Sequence, residues 1–230
     1  MSIAENIAQV RANIAAAARE AGRKPEEITL VGASKMNDAA ACREAIAAGI
    51  DALGENRVQE MAAKFQEHAY DGAPLHFIGH LQRNKVRQVV GKADLIQSVG
   101  SLELLAEIEK AAGKQDMVQD ILLEVNIGEE GAKSGFLPAE LLSGAEAALE
   151  KSHIRTLGLM AIPPAEADRE ENLRYFDKVR ALFLDMNEKM FHNSLRILSM
   201  GMSGDYEDAL RSGANMVRVG TAIFGSRHYT

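Results

Sequence analysis

The chain has 230 residues, 47% of them hydrophobic, which is enough for one sizeable core. Its 33 acidic and 26 basic side chains leave a formal net charge of -7, and it has no Trp. This argues against nucleic acid as the main partner, both by charge and by the lack of a stacking surface. The lone Cys42 excludes an internal disulfide, no apolar run approaches the roughly 18 residues of a membrane span, and MSIAENIAQV lacks the form of a signal segment, so a cytoplasmic protein with no membrane partner is expected.

At the start of the chain, Ile3, Ile7, Val10 and Ile14 recur at helical spacing, and Ser2 with Glu5 has the form of a capping box. An opening amphipathic helix is predicted, ending near Gly22, with Pro25 beyond it. Short apolar runs suited to buried strands then recur: ITLVGAS from Ile28, DALGEN from Asp51, LHFIGH from Leu75, DLIQSV from Asp94, ILLEVNI from Ile121, TLGLMAI from Thr156, ILSMGMS from Ile197 and MVRVGTAIFG from Met216. Between most of them lie stretches of helical periodicity, such as Asp38 to Ala48 and Ser101 to Ala112, and this alternation implies parallel strands. Eight such units after a leading helix predict an α/β fold, a single (β/α)8 TIM barrel with an additional N-terminal helix, as one domain over residues 1–230. An open doubly wound sheet is the alternative. The longest irregular stretch lies near IPPAEADREE, and no linker or low-complexity tract marks a second domain.

A parallel barrel carries its chemistry at the C-terminal ends of its strands. The residues closing the runs are Ser34-Lys35, Glu55-Asn56, Gly79-His80, Asn126, Met160 to Pro163, Met202-Ser203 and Gly220-Thr221. Lys35 follows an apolar run directly, so its amine is expected at the barrel mouth, where desolvation would favour the neutral nucleophile. On position alone, a solvated loop lysine is the other reading. Ser203 and Gly204 precede a helical stretch, and Gly220 and Thr221 end the last run; loops in these places commonly build a phosphate site in this fold. The alternative is that the glycines only make turns and Ser203 only caps a helix. Arg218 lies two residues before Gly220, on the same side of its strand and facing inward, where it could equally form a structural ion pair with a carboxylate such as Glu124. No pattern points to a metal.

These residues fall in ordered blocks along nearly the whole chain: VGASK (31–35), GENRVQE (54–60), HFIGHLQRNK (76–85), SVGSLELL (98–105), EVNIGEEGAKSGF (124–136), GLMAIPP (158–164), LSMGMSGDYEDAL (198–210) and MVRVGTAIFG (216–225). Together they resemble the YggS/PROSC family of pyridoxal phosphate-binding proteins, whose barrel is shared with the N-terminal domain of alanine racemase. The resemblance implies that pyridoxal 5'-phosphate (PLP) is the cofactor, held as a Schiff base on Lys35. It also implies that Ser203, Gly220 and Thr221, with Met202 beside them, hold the phosphate, that Arg218 faces the pyridine nitrogen, and that Asn56 and His76 line the pocket. Lys133 matches a family lysine associated with passing cofactor on, against which stands the reading of a solvated loop lysine. The chain departs from the family at Met36-Asn37-Asp38, where a proline, often preceded by a second lysine, is usual; Asn37 or Asp38 is expected to cap the next helix instead.

A guanidinium can only donate, so Arg218 at the ring nitrogen would weaken the ring as an electron sink. None of Tyr70, Tyr175, Tyr206 and Tyr229 ends a strand run to supply a second acid/base for racemisation. The expected function is therefore PLP homeostasis, that is, buffering and delivery of the cofactor to apo PLP-dependent enzymes by a monomer without robust turnover. A weak PLP-dependent racemase and a Schiff-base aldolase or isomerase acting on a sugar phosphate are the rivals.

Overall fold

A computed structural model describes residues 1–225. Its eight strands are β1 (Thr29–Ala33), β2 (Ala52–Glu55), β3 (Leu75–Phe77), β4 (Leu95–Val99), β5 (Gln119–Val125), β6 (Ile154–Ala161), β7 (Ile197–Ser199) and β8 (Met216–Val219). They follow one another in sequence order around a closed barrel. Each falls within or overlaps one of the eight apolar runs, and the barrel, not the open sheet, is the fold. The helices are α1 (Ile3–Glu20), α2 (Ala39–Ala47), α3 (Val58–Gln66), α4 (Leu102–Gly113), α5 (Leu141–Leu149), α6 (Arg169–Lys189), α7 (Tyr206–Arg211) and α8 (Thr221–Phe224). Among the described residues, no helix is long and apolar enough to cross a membrane.

By internal contacts the chain groups into two units: Met1–His76 with the chain from Met200 onward, and Phe77–Ser199. In the first unit, α1 begins at the expected capping box, with Ser2 and Glu5 satisfying each other's backbone N–H groups. This leaves fewer orphan donors at the helix start. The helix buries Ile7, Val10 and Ile14 on one stripe. The turn after it passes through Gly22, whose φ of +68° favours glycine. β1 is paired on both sides, with Val31 opposite Ala52 of β2 and opposite Arg218 of β8. A strand bonded on both edges and covered on both faces must be apolar throughout, which is why Leu30, Val31, Gly32 and Ala33 are all buried.

In the second unit, β5 pairs with β4 and β6, and β6 pairs with β7. The β5–β6 register shifts between Ile121 and Leu122, so the strands continue past an irregularity without losing their partnership. Ser101 caps α4, and Asp168 with Glu171 makes a capping box at the start of the long α6. These caps supply acceptors for first-turn N–H groups that would otherwise lie bare.

Candidate functional site

The ends of β1 and β8, with the loop before α7, surround a cavity of about 280 Å³. It is lined by Lys35, Met202, Ser203, Arg218, Gly220 and Thr221, together with Ala33, Asn37, Gly204, Phe224 and Gly225. Six of the residues expected at a binding site therefore converge. Asn56, just after β2, and His76, within β3, are not part of this lining. Asn56 nevertheless has a buried Oδ1 that meets no hydrogen-bond donor among the described residues, and His76 is buried. Ala33, Asn37, Phe224 and Gly225 join the site because β1 and β8 are neighbours.

Lys35 is half-buried at the mouth. Its carbonyl accepts a hydrogen bond from Asn37 Nδ2 at 3.0 Å, while Asp38 caps α2 by accepting from Ala41 N–H at 2.8 Å. Asp38 has φ -80°, an angle a proline could also hold, and here its side chain supplies the cap of α2. Met36 takes φ +63°. For a residue with a Cβ this left-handed conformation costs roughly 1–2 kcal/mol, so something must hold it.

Ser203 does not cap α7, whose first flanking position is Asp205. Its Oγ turns instead toward the start of α8 and accepts from the N–H groups of Gly220 at 3.1 Å and Ala222 at 3.3 Å. With both lone-pair directions used in this way, the hydroxyl proton is left to donate outward. Gly201, just before this loop, has φ +91°, and a Cβ there would lie 2.7 Å from Ala209 Cβ. Arg218 is 3% exposed, and its main-chain N–H donates to the Gly201 carbonyl at 3.0 Å.

Behind Lys35 lies a buried charge cluster that the sequence reading did not assemble. Lys64 Nζ lies 2.6 Å from Glu55 Oε1 and 3.2 Å from Glu60 Oε1. Tyr70 donates to Glu55 Oε1 at 3.2 Å, as does the Ser34 hydroxyl at 2.6 Å. Burial, the largest single influence, pushes the Lys64 ammonium toward neutrality, yet Glu55, Cys42 and Glu60 together outweigh it and hold Lys64 above the ordinary lysine range. Burial first, and then the same carboxylate, push the Tyr70 phenol well above its ordinary value. Val58, Met61 and Lys64 are spaced three apart, and all three are buried on α3.

A larger cavity of about 560 Å³ lies in the second unit, lined by His80, Arg83, Lys133 and several serines and glycines. Lys133 is half-exposed there, with its Nζ 2.6 Å from Glu130 Oε2 and donating to the Pro163 carbonyl at 3.4 Å. No tyrosine among the described residues lines the smaller cavity: Tyr70 serves Glu55, Tyr206 accepts from Asn13 Nδ2, and Tyr175 lies on α6. Tyr229 lies outside the described residues.

The family model described as "Alanine racemase, N-terminal domain" matches residues 6–228. The pyridoxal phosphate homeostasis protein of Aquifex aeolicus (strain VF5) is 41% identical over 229 residues, covering 100% of both chains. The chain belongs to this family. Another pyridoxal phosphate homeostasis protein, from Escherichia coli (strain K12), is 41% identical, with 99% of this chain and 98% of that one covered. Among solved structures, PipY of Synechococcus elongatus PCC7942 with PLP bound is 33% identical, with a TM-score of 0.84 over 97% of this chain and 100% of that one. Membership of the pyridoxal phosphate homeostasis proteins gives the six converging residues a shared ligand to be tested against.

Proposed function

We propose that this chain is a cytoplasmic PLP-binding domain over residues 1–230 that holds the cofactor through Lys35 and serves its buffering and delivery. The observation that carries the reading is the convergence of an amine, a hydroxyl set among backbone N–H groups, and a buried guanidinium in one cavity of about 280 Å³. That volume is close to the lower end, about 300 Å³, of small-ligand sites. The residues fit the cofactor on a further count. The outward proton of Ser203 suits a phosphate oxygen, which can only accept.

When bound, the cofactor supplies an aldehyde that condenses reversibly with a primary amine. Lys35 provides that amine. Ser203, Gly220 and Thr221 would hold the phosphate, with Met202 at the rim. Arg218 would donate toward the ring nitrogen and, being unable to accept, would favour its unprotonated form. Asn56, just after β2, and His76, within β3, would help orient the ring. Such a site favours holding and release over turnover, and apo PLP-dependent enzymes are the receivers of the cofactor from a monomeric carrier. The relatives named for PLP homeostasis and the PLP-bound PipY support this reading.

The test is Lys35→Ala. Titrated with PLP, the variant should develop no visible absorbance from a covalent complex, yet should still bind the phosphate-bearing ligand in a calorimeter. A visible complex of unchanged strength in the variant would place the amine elsewhere.

A further inference from the structure

Ser34 and Met36, the two chain neighbours of Lys35, are both tied to the same buried cluster. The Ser34 carbonyl accepts from Lys64 Nζ at 2.8 Å, and its hydroxyl donates to Glu55 Oε1 at 2.6 Å. On the other side, the Met36 N–H donates to Glu60 Oε1, which also lies 3.2 Å from Lys64 Nζ. One ammonium therefore links the backbone before Lys35 to the backbone after it. The Lys64 side chain is 6% exposed and that of Glu55 0%. Well-packed apolar residues often stabilise a core as well as a buried ion pair does, so stability alone gives little reason for this one. The left-handed φ of +63° at Met36 gives a better reason, because a non-glycine residue keeps that conformation only when its surroundings impose it.

We propose that Lys64, acting with Glu55 and Glu60, is a positioning residue that clamps the chain on both sides of Lys35 and so aims its amine into the cavity. The inference rests on the reading that Lys35 bonds the cofactor. In that step the lysine nitrogen bonds the aldehyde carbon while the aldehyde oxygen leaves as water, and its rate depends on how often the amine stands in line for attack. The phosphate is held by Ser203, Gly220 and Thr221, none of which takes part in the hydrogen bonds of the cluster described above. Loosening the clamp should therefore slow bond formation and spare recognition.

Glu60 is the position to vary first, because its side chain is 20% exposed and its loss leaves the Lys64–Glu55 pair in place. Stopped-flow absorbance with PLP reads attachment to the full chain, and calorimetry with pyridoxine 5'-phosphate, which lacks the aldehyde, reads recognition. Glu60→Ala should slow attachment by about tenfold or more while shifting pyridoxine phosphate affinity by less than about twofold. Glu60→Gln, which keeps an acceptor for the Met36 N–H, should restore most of the rate, and Lys64→Met should behave like Glu60→Ala if it folds. Attachment by Glu60→Ala at the unaltered rate overturns the proposal; so does a parallel loss of pyridoxine phosphate affinity or a failure of glutamine to rescue. If the unaltered protein forms no bond at Lys35, the functional reading falls and takes this one with it. Normal attachment by both the unaltered protein and Glu60→Ala refutes the clamp alone.

Discussion

Ser203 illustrates how one side chain can organise a binding surface without supplying its charge. Its oxygen gathers the N–H groups of Gly220 and Ala222, and its proton is free to donate. Ser203→Ala removes both services, and the expected loss is about 1–3 kcal/mol of phosphate-ligand affinity, read by calorimetry with PLP. An unchanged dissociation constant would remove Ser203 from the site. The sequence made this residue conspicuous by its place before a helical stretch, where a phosphate contact and a cap for that helix were both open. The hydroxyl reaches α8 instead, seventeen positions on, a contact that depends on the pairing of distant segments and leaves no local trace. Lys64 was hidden for a related reason. A lysine in VQEMAAKFQ reads as a solvated helix residue until Glu55, on another element, gives it a buried partner.

The strands and helices were far more legible than their contacts, because each expresses a local rule. Continuous apolar runs mark strands buried on both faces, and the Ser2–Glu5 and Asp38 caps mark where helices start. Strand lengths were read less well: the run from Ile197 continues through methionines and a glycine, yet β7 ends at Ser199. Gly201 explains the stop, since its φ of +91° turns the chain out of the strand and brings its Cα close beneath α7. Gly201→Ala would place a Cβ 2.8 Å from Tyr206 Cα. It should therefore cost about 1–3 kcal/mol from backbone strain alone, with a further loss of PLP affinity as the Ser203 loop shifts. A urea midpoint equal to that of the unaltered protein would show that the turn tolerates a side chain.

Across the described residues, buried groups shifted in the same direction, Cys42, Tyr70 and Lys64 among them, tie stability to pH. Cys42, Tyr70 and Lys64 are all held above their ordinary values of 9.0, 10.0 and 10.5. For each, burial is the largest influence. It raises the thiol and the phenol, whereas for Lys64 the nearby acidic groups, Glu55 foremost, together reverse its effect. In the unfolded chain these groups lose their protons at the ordinary values, while in the folded chain they keep them to higher pH. Their contribution is thus complete below the ordinary values and is lost as pH rises toward the folded ones. Urea midpoints should fall as pH climbs past about 9, less steeply in Tyr70→Phe; a flat profile to pH 11 would contradict the assignment. The barrel and its strand order followed from counting alternating segments, whereas the ligand did not, because an amine, a hydroxyl and a guanidinium in a cavity suit several phosphate-bearing carbonyl compounds. Family membership narrows that choice. The most direct test is to add PLP to the purified protein, record the visible spectrum, reduce with borohydride and map the modified peptide by mass. A visible band and a reduced adduct on Lys35 are expected. No band, or an adduct on another lysine, would contradict the Lys35 assignment.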